Sequence, residues 1–249
     1  MRVAVVYFPG MNCEHETVYA LKNCGIPADI VRWNQGDRLL GYDGFVLPGG
    51  WSYEDRIRAG VIAAKDPVMD IIKEQAKAGK PVLGICNGAQ ILVETGLVPG
   101  KDRVALAPNQ NPLIQGYYCT WVFVKALHTQ SAFTSVLKEK IMPMPVAHGE
   151  GRFIANNPGL FKQLKDDGRL LFQYCTHDGL VLEDFPITPN ASVLNCAGIM
   201  NKEGNVCALM PHPERATFGF QLHQYGAKNG FAPASGIFQS MKAFLEERK

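Results

Sequence analysis

No stretch of the 249-residue sequence is apolar for long enough to cross a bilayer. Its first ten residues, MRVAVVYFPG, hold too short an apolar run for a secretory signal, and no small-residue cleavage site follows. The expectation is a cytoplasmic protein without membrane contact. No basic stripe occurs either: Lys and Arg are spread along the chain and the net charge is only +2, which argues against a nucleic acid partner. The seven cysteines are odd in number, widely spaced and free of C-x-x-C pairs, so neither a disulfide framework nor a zinc ribbon is in view. Cys13-Glu14-His15 alone is too little for a metal site. Neither a phosphate loop nor a dinucleotide fingerprint is present, so no cofactor is expected on this chain. What remains, with 47% hydrophobic and 19% charged residues, is enough apolar material for one core, and a single domain over residues 1–249 is expected.

Residues 2–7 form an apolar run that suits a buried parallel strand. A loop at 8–12 leads to a helical segment at 14–23, which Gly25 stops. Further strands are expected at 28–33 and 44–47, the latter ended by Pro48-Gly49-Gly50. Residues 66–78 are the clearest amphipathic helix: Val68, Ile71, Ile72 and Ala76 share a face and Gly79 caps the end. A strand at 81–85 and a helix to Thr95, capped by Gly96, follow. This alternation argues for an α/β fold with a parallel sheet covered by helices. Between about 117 and 199, short strand-like pieces such as 120–124 and many Pro and Gly turns suggest an antiparallel extension, with a separate subdomain left open. The stripe Ile237, Phe238, Met241, Phe244 and Leu245 in 235–249 reads as core packing more readily than as a partner-binding face.

The chemistry concentrates in Gly84-Ile85-Cys86-Asn87-Gly88, where a strand runs straight into Gly-x-Cys-x-Gly and then a helix. That context holds a nucleophile on a sharp elbow, with a glycine on each side because a Cβ would crowd the turn. At a helix N-terminus the positive dipole end favours thiolate, the reactive form. A buried structural cysteine is the bland reading. A base and an orienting group for the base are needed as well. Met210-Pro211-His212-Pro213-Glu214-Arg215 offers them: two prolines brace His212, and Glu214, two residues on in what reads as an extended segment, can accept a hydrogen bond from the ring. The other histidines, His15, His128, His148, His177 and His223, lack such a neighbourhood. Paired glycines after a strand, Gly49 and Gly50, can turn backbone N–H groups inward as an oxyanion hole does, with the Asn87 amide as the other donor. Alone, such a pair is more often an ordinary turn.

Together these three motifs, with Gln90, resemble the class I (triad) glutamine amidotransferases. The likeness continues through Phe8-Pro9-Gly10, Asn12-Cys13, Leu47-Pro48-Gly49-Gly50-Trp51-Ser52-Tyr53, Arg58-Ala59-Gly60 and His148-Gly149-Glu150-Gly151-Arg152-Phe153. Gln173-Tyr174, Pro189-Asn190, Ala197-Gly198-Ile199 and residues 210–215 complete it, in order along nearly the whole chain. Within the family it is similar to the glutaminases that serve purine synthesis. The resemblance implies a flavodoxin-like parallel sheet flanked by helices. It implies Cys86 as nucleophile, His212 as base, Glu214 as its orienter, Gly49, Gly50 and Asn87 as backbone donors, and Gln90 as a positioning group for glutamine. Ammonia would pass to a separate synthetase, PurL, accompanied by a small subunit, PurS. That synthetase would use ATP and Mg to turn formylglycinamide ribonucleotide into the amidine. Ala191 stands where the pattern has glycine, and Met11 and Ala89 also depart from it.

Three other readings compete. A glutaminase of another amidotransferase would not be expected to share the stretch from His148 to Phe153. A protease- or chaperone-type cysteine protein would carry His directly after the nucleophile, where Asn87 stands here. A non-catalytic cysteine protein of the same fold is the third. His148, Glu150 and Arg152 suit either the rim of the site or an interface.

Overall fold

The computed structural model describes residues 1–128, 130–222 and 230–248; His223 and Lys249 lie outside them. Strand β1 (Val3–Tyr7) is followed by helix α1 (Glu14–Asn23), β2 (Ala28–Arg32) and β3 (Gly44–Leu47). Helix α2 (Val68–Lys77), β4 (Val82–Ile85) and α3 (Asn87–Thr95) complete the first half. The second half holds β5 (Val104–Ala107), β6 (Tyr118–Ala126), β7 (Ile141–His148), β8 (Arg152–Ala155), α4 (Leu160–Asp166), β9 (Leu170–Cys175), β10 (Cys196–Met200), β11 (Val206–Leu209) and α5 (Ser235–Glu247). Most elements fall within two residues of their sequence expectation.

Nine strands form one sheet in the order β2-β1-β3-β4-β11-β10-β9-β6-β7. The strands from β2 to β11 run parallel, the flavodoxin-like order, and the remaining pairs are antiparallel. The extension thus continues the same sheet and is nearly as wide as the parallel part. β3, β4 and β11 are buried at every residue, as strands covered on both faces must be. β6 alternates instead, with one face nearer solvent. β7 ends the sheet, and its Pro143 and Pro145 are tolerable only at such an edge.

Helix α3 lies over β3, β4 and β11, while α5 packs with α1. In α5, Ile237, Phe238, Met241 and Leu245 are buried and Phe244 is partly buried, so the stripe serves the core. All seven cysteines are free thiols.

Gly88 shows how tight this packing is. A Cβ on Gly88 would come within 2.0 Å of the Leu47 carbonyl oxygen, so α3 approaches β3 only because that residue has no side chain. Gly88→Ala is expected to destabilise the fold by about 3 kcal/mol or more, read as a lowered urea midpoint. Ala191, which stands where the pattern has glycine, sits at φ +57, so the structure gives a reason for the glycine and none for the alanine. Ala191→Gly is expected to stabilise the fold by roughly 0.5–1 kcal/mol, read as a raised midpoint.

Candidate active site

The carboxyl ends of β1, β3, β4 and β11 face one crevice, the place where open parallel sheets collect their functional loops. β4 ends at Ile85, and Cys86 takes φ 51 and ψ −106 before α3 begins. Such a backbone state costs on the order of 1–3 kcal/mol in a residue with a Cβ, and it persists only where its surroundings enforce it. Here the Cys86 N–H donates to Leu209 O (2.8 Å) and the Gly88 N–H to Pro48 O (3.2 Å), tying the elbow to both neighbouring strands. A Cβ on Gly84 would meet Gly88 O at 2.5 Å, so both glycines flanking the elbow are needed for close approach.

His212 follows β11, and its backbone N–H donates to Pro145 O of β7 (2.9 Å). Pro213–Arg215 is a 3-10 turn and not the extended segment the sequence suggests. The turn brings the Glu214 carboxylate back onto the ring, with Oε1 2.6 Å from Nδ1. A carboxylate only accepts, so Nδ1 carries the proton and Nε2 faces outward. Both side chains are buried, and Nε2 has no hydrogen-bond partner among the described residues. Burial alone would push the imidazole down; the Glu214 carboxylate, and after it the Cys86 sulfur, outweigh burial and hold it well above its ordinary value. A proton is thereby stored beside the thiol.

Gly49 lies between the two. A Cβ there would sit 2.7 Å from His212 Cε1, 3.2 Å from Cys13 Sγ and 3.4 Å from Cys86 Cβ, so a side chain would separate thiol from ring. Met11 bridges to Gly50 through bonds made by their neighbours, Trp51 N–H to Gly10 O and Asn12 N–H to Gly49 O. The Gly50 and Asn87 amides therefore have no partner among the described residues, as inward donors require.

Asn87 organises the other wall. Its side chain accepts from Ser52 N–H (2.9 Å) and donates to Asp55 Oδ1 and Gln90 Oε1 (2.9 Å each). Gln90 in turn donates to Glu150 O (2.7 Å). The cavity, about 160 Å³, is lined by Gly50, Cys86, Gln90 and His212, and also by Asp55, Cys13, His148, Glu150 and Arg215. Trp51 and Tyr117 stack across its mouth, ring centroids 5.8 Å apart.

The structure thus gathers every residue expected from sequence, sets His148 and Glu150, which suited a rim or an interface, in the cavity lining, and adds Cys13 and Asp55, whose part in the site was missed. His148 is buried and Nδ1 faces Asn109 Oδ1 (3.0 Å). Burial, then repulsion from His212, holds its pKa down to about 3, so it stays neutral. Cys13 Sγ receives a hydrogen bond from Arg215 (3.2 Å), and burial is the largest influence raising its pKa. Asp55 is pushed up to about 6, mostly by burial and further by Glu150, against the hydrogen bonds from Asn87 and the Gly60 backbone. The position of Cys13 just past β1, at the carboxyl edge of a parallel sheet, was the one signal that could have marked it. Arg152, by contrast, bonds Pro108 O outside the cavity.

Donor atoms of Cys13, His212 and Glu214 lie within 4.8 Å of one another. The 2.6 Å between ring and carboxylate is a hydrogen bond; two ligands sharing a zinc at its usual bond lengths of about 2.0 Å would stand farther apart. The cluster is a hydrogen-bonded dyad with a thiol on each side.

A thiol on an elbow, an imidazole oriented by a buried carboxylate and two backbone amides without a partner among the described residues make the constellation of a cysteine amidohydrolase. The chain belongs to the glutamine amidotransferases: the CobB/CobQ-like glutamine amidotransferase domain matches residues 1–245. More particularly, it is similar to phosphoribosylformylglycinamidine synthase subunit PurQ of Methanothrix thermoacetophila, at 45% identity over 100% of both chains. PurQ of Pyrococcus horikoshii is 43% identical over 97% of this chain and 99% of that one. The PurLQS structure from Thermotoga maritima matches 98% of each chain with a TM-score of 0.77 and 32% identity. The glutaminase domain of Trypanosoma brucei CTPS shares the fold, with a TM-score of 0.59 at 15% identity over 99% of this chain and 94% of that one.

Because the folded pKa of Asp55 lies above the ordinary carboxylate range, its contribution to stability is present in acid and lost as pH rises through about 6. Asp55→Asn is therefore expected to stabilise the chain at pH 7.5 by roughly 1 kcal/mol, discounted for partial exposure. The gain disappears by about pH 4, and urea titrations at the two pH values measure it.

Proposed function

We propose that the chain is the glutaminase subunit of phosphoribosylformylglycinamidine synthase, one cytoplasmic domain over residues 1–249. It releases ammonia for a PurL synthetase that holds ATP and Mg, with PurS as the third component. The observation that carries the reading is the buried His212–Glu214 bond of 2.6 Å, whose free ring nitrogen serves the thiol of the strained Cys86 elbow. Support for the particular synthetase comes from the relatives above, whose names are those of its PurQ subunit.

Catalysis begins once the Cys86 thiol has given its proton to His212 Nε2, and the thiolate attacks the side-chain amide carbon of glutamine. The resulting oxyanion is met by the Asn87 amide and that of Gly49 or Gly50. His212 gives its proton to the departing nitrogen, and ammonia leaves as the carbonyl reforms as a thioester. The ring, now neutral at Nε2, removes a proton from water, whose oxygen attacks the thioester. Collapse returns glutamate, the thiolate and the imidazolium. Glu214 keeps its hydrogen bond to Nδ1 throughout, fixing the tautomer. Gln90, held by Asn87 and Glu150 O, orients the substrate.

Cys13 gives a second reading some footing, since it touches the same imidazole neighbourhood. It lacks an elbow and a pair of inward amides. Ammonia release from glutamine, measured with PurL, PurS and the ribonucleotide present, separates the two. Cys86→Ala is expected to lose at least 10³-fold while keeping its circular dichroism, and Cys13→Ser to keep most activity. The reverse pattern would make Cys13 the nucleophile.

A further inference from the structure

The loop after Gly50 is strained without a glycine to absorb the strain. Tyr53, Glu54 and Asp55 take φ values of 53, 61 and 50, and Ile57 takes 74. Each residue with a Cβ in that region costs on the order of 1 kcal/mol or more. The turn sends Asp55 into the cavity and Ile57 outward, where it is 89% exposed. The Asp55 carboxylate receives Asn87 Nδ2, one residue beyond the nucleophile. Glu150, whose Oε2 accepts from the Ala59 N–H (3.3 Å), lies near enough to raise the Asp55 pKa.

Among the described residues no cation pairs with either carboxylate. Arg215, the guanidinium of the cavity, is engaged at the other end, with Glu16 (3.0 Å) and Cys13. The cavity therefore has a thiol and an imidazolium in its depth and two unneutralised carboxylates on the Gln90 side. Two partly desolvated carboxylates facing one cleft call for a small cation. An α-amino acid bound through its side-chain amide at Cys86 presents one: its ammonium, with three N–H donors.

We propose that Asp55, backed by Glu150, takes the α-ammonium of glutamine and is the residue that selects an amino acid over a simple amide. The inference rests on the glutaminase reading and adds a subsite to it. A site built to bind a charged donor leaves its own carboxylates unpaired when offered an analogue without that donor, and so rejects it.

The test compares L-glutamine with glutaramate, which keeps the amide and the carboxylate and lacks the ammonium, using the full chain with its partner subunits. Wild type is expected to favour glutamine by at least tenfold in kcat/KM. Asp55→Asn is expected to raise KM for glutamine about ten- to a hundredfold, the range of a lost charge-assisted hydrogen bond, with kcat within about threefold. KM for glutaramate should hold or fall, and Glu150→Gln should act the same way more weakly. Equal KM increases for both amides would reduce Asp55 to a support for Asn87 and overturn the assignment. So would an unchanged glutamine KM. Should Asp55→Asn fail to fold, wild type accepting glutaramate as readily as glutamine overturns it without a variant. Loss of the glutaminase reading shows separately, as wild type releasing no more ammonia than Cys86→Ala.

Discussion

The chemistry of this chain depends on a cysteine held where its backbone would not go unaided. At φ 51 and ψ −106, Cys86 is driven by two strands that grip its turn and by two glycines that let α3 close over β3 and β4. The strain is affordable because the surrounding strands are buried at every position, and a close-packed interior does not yield to one residue's preference. The same rigidity fixes Gly49 between sulfur and ring, so the distance between nucleophile and base is set by the sheet and not by side-chain rotamers.

Electrostatics then separates groups of the same kind. His212 and His148 are both buried in one cavity, yet the first is driven up by Glu214 and Cys86 and the second down by burial and by His212 itself. One imidazole is kept as an acid and the other as a neutral wall. Titratable pairs whose environments push them apart are how a site assigns roles at one pH. Two thiols share that ring, and only one is on an elbow with free amides beside it. Asp55 extends the pattern to the other end of the cavity, where an acid is kept against its solvation preference and the fold is the less stable for it.

Much of this was legible in the sequence because the informative residues are local. Gly84-Ile85-Cys86-Asn87-Gly88 declares a turn between a buried strand and a helix, and the prolines around His212 declare a stiff segment. Four of the five parallel strands were expected from short runs at 2–7, 28–33, 44–47 and 81–85, while β11 was not. What could not be read depends on how distant segments meet. His148 suited a rim or an interface equally in sequence; it becomes a cavity wall because β7 pairs with β6 and receives His212 N–H on Pro145. Cys13 is near the ring only because β1 and β11 end on the same side of the sheet. Asp55 needs a run of left-handed residues that no turn rule favours in Tyr53-Glu54-Asp55. Glu214 was expected in an extended stretch, and a 3-10 turn delivers it instead.

The position of β11 has a consequence for how the molecule is made. It is among the last strands to leave the ribosome, yet it sits in the middle of the sheet between β4 and β10. Until β11 is made, β4 and β10 have no strand to join them, and His212 does not yet exist. Only the closing strand completes the sheet, and the same step delivers the base, so an unfinished polypeptide has no means of consuming free amino acid before it is whole.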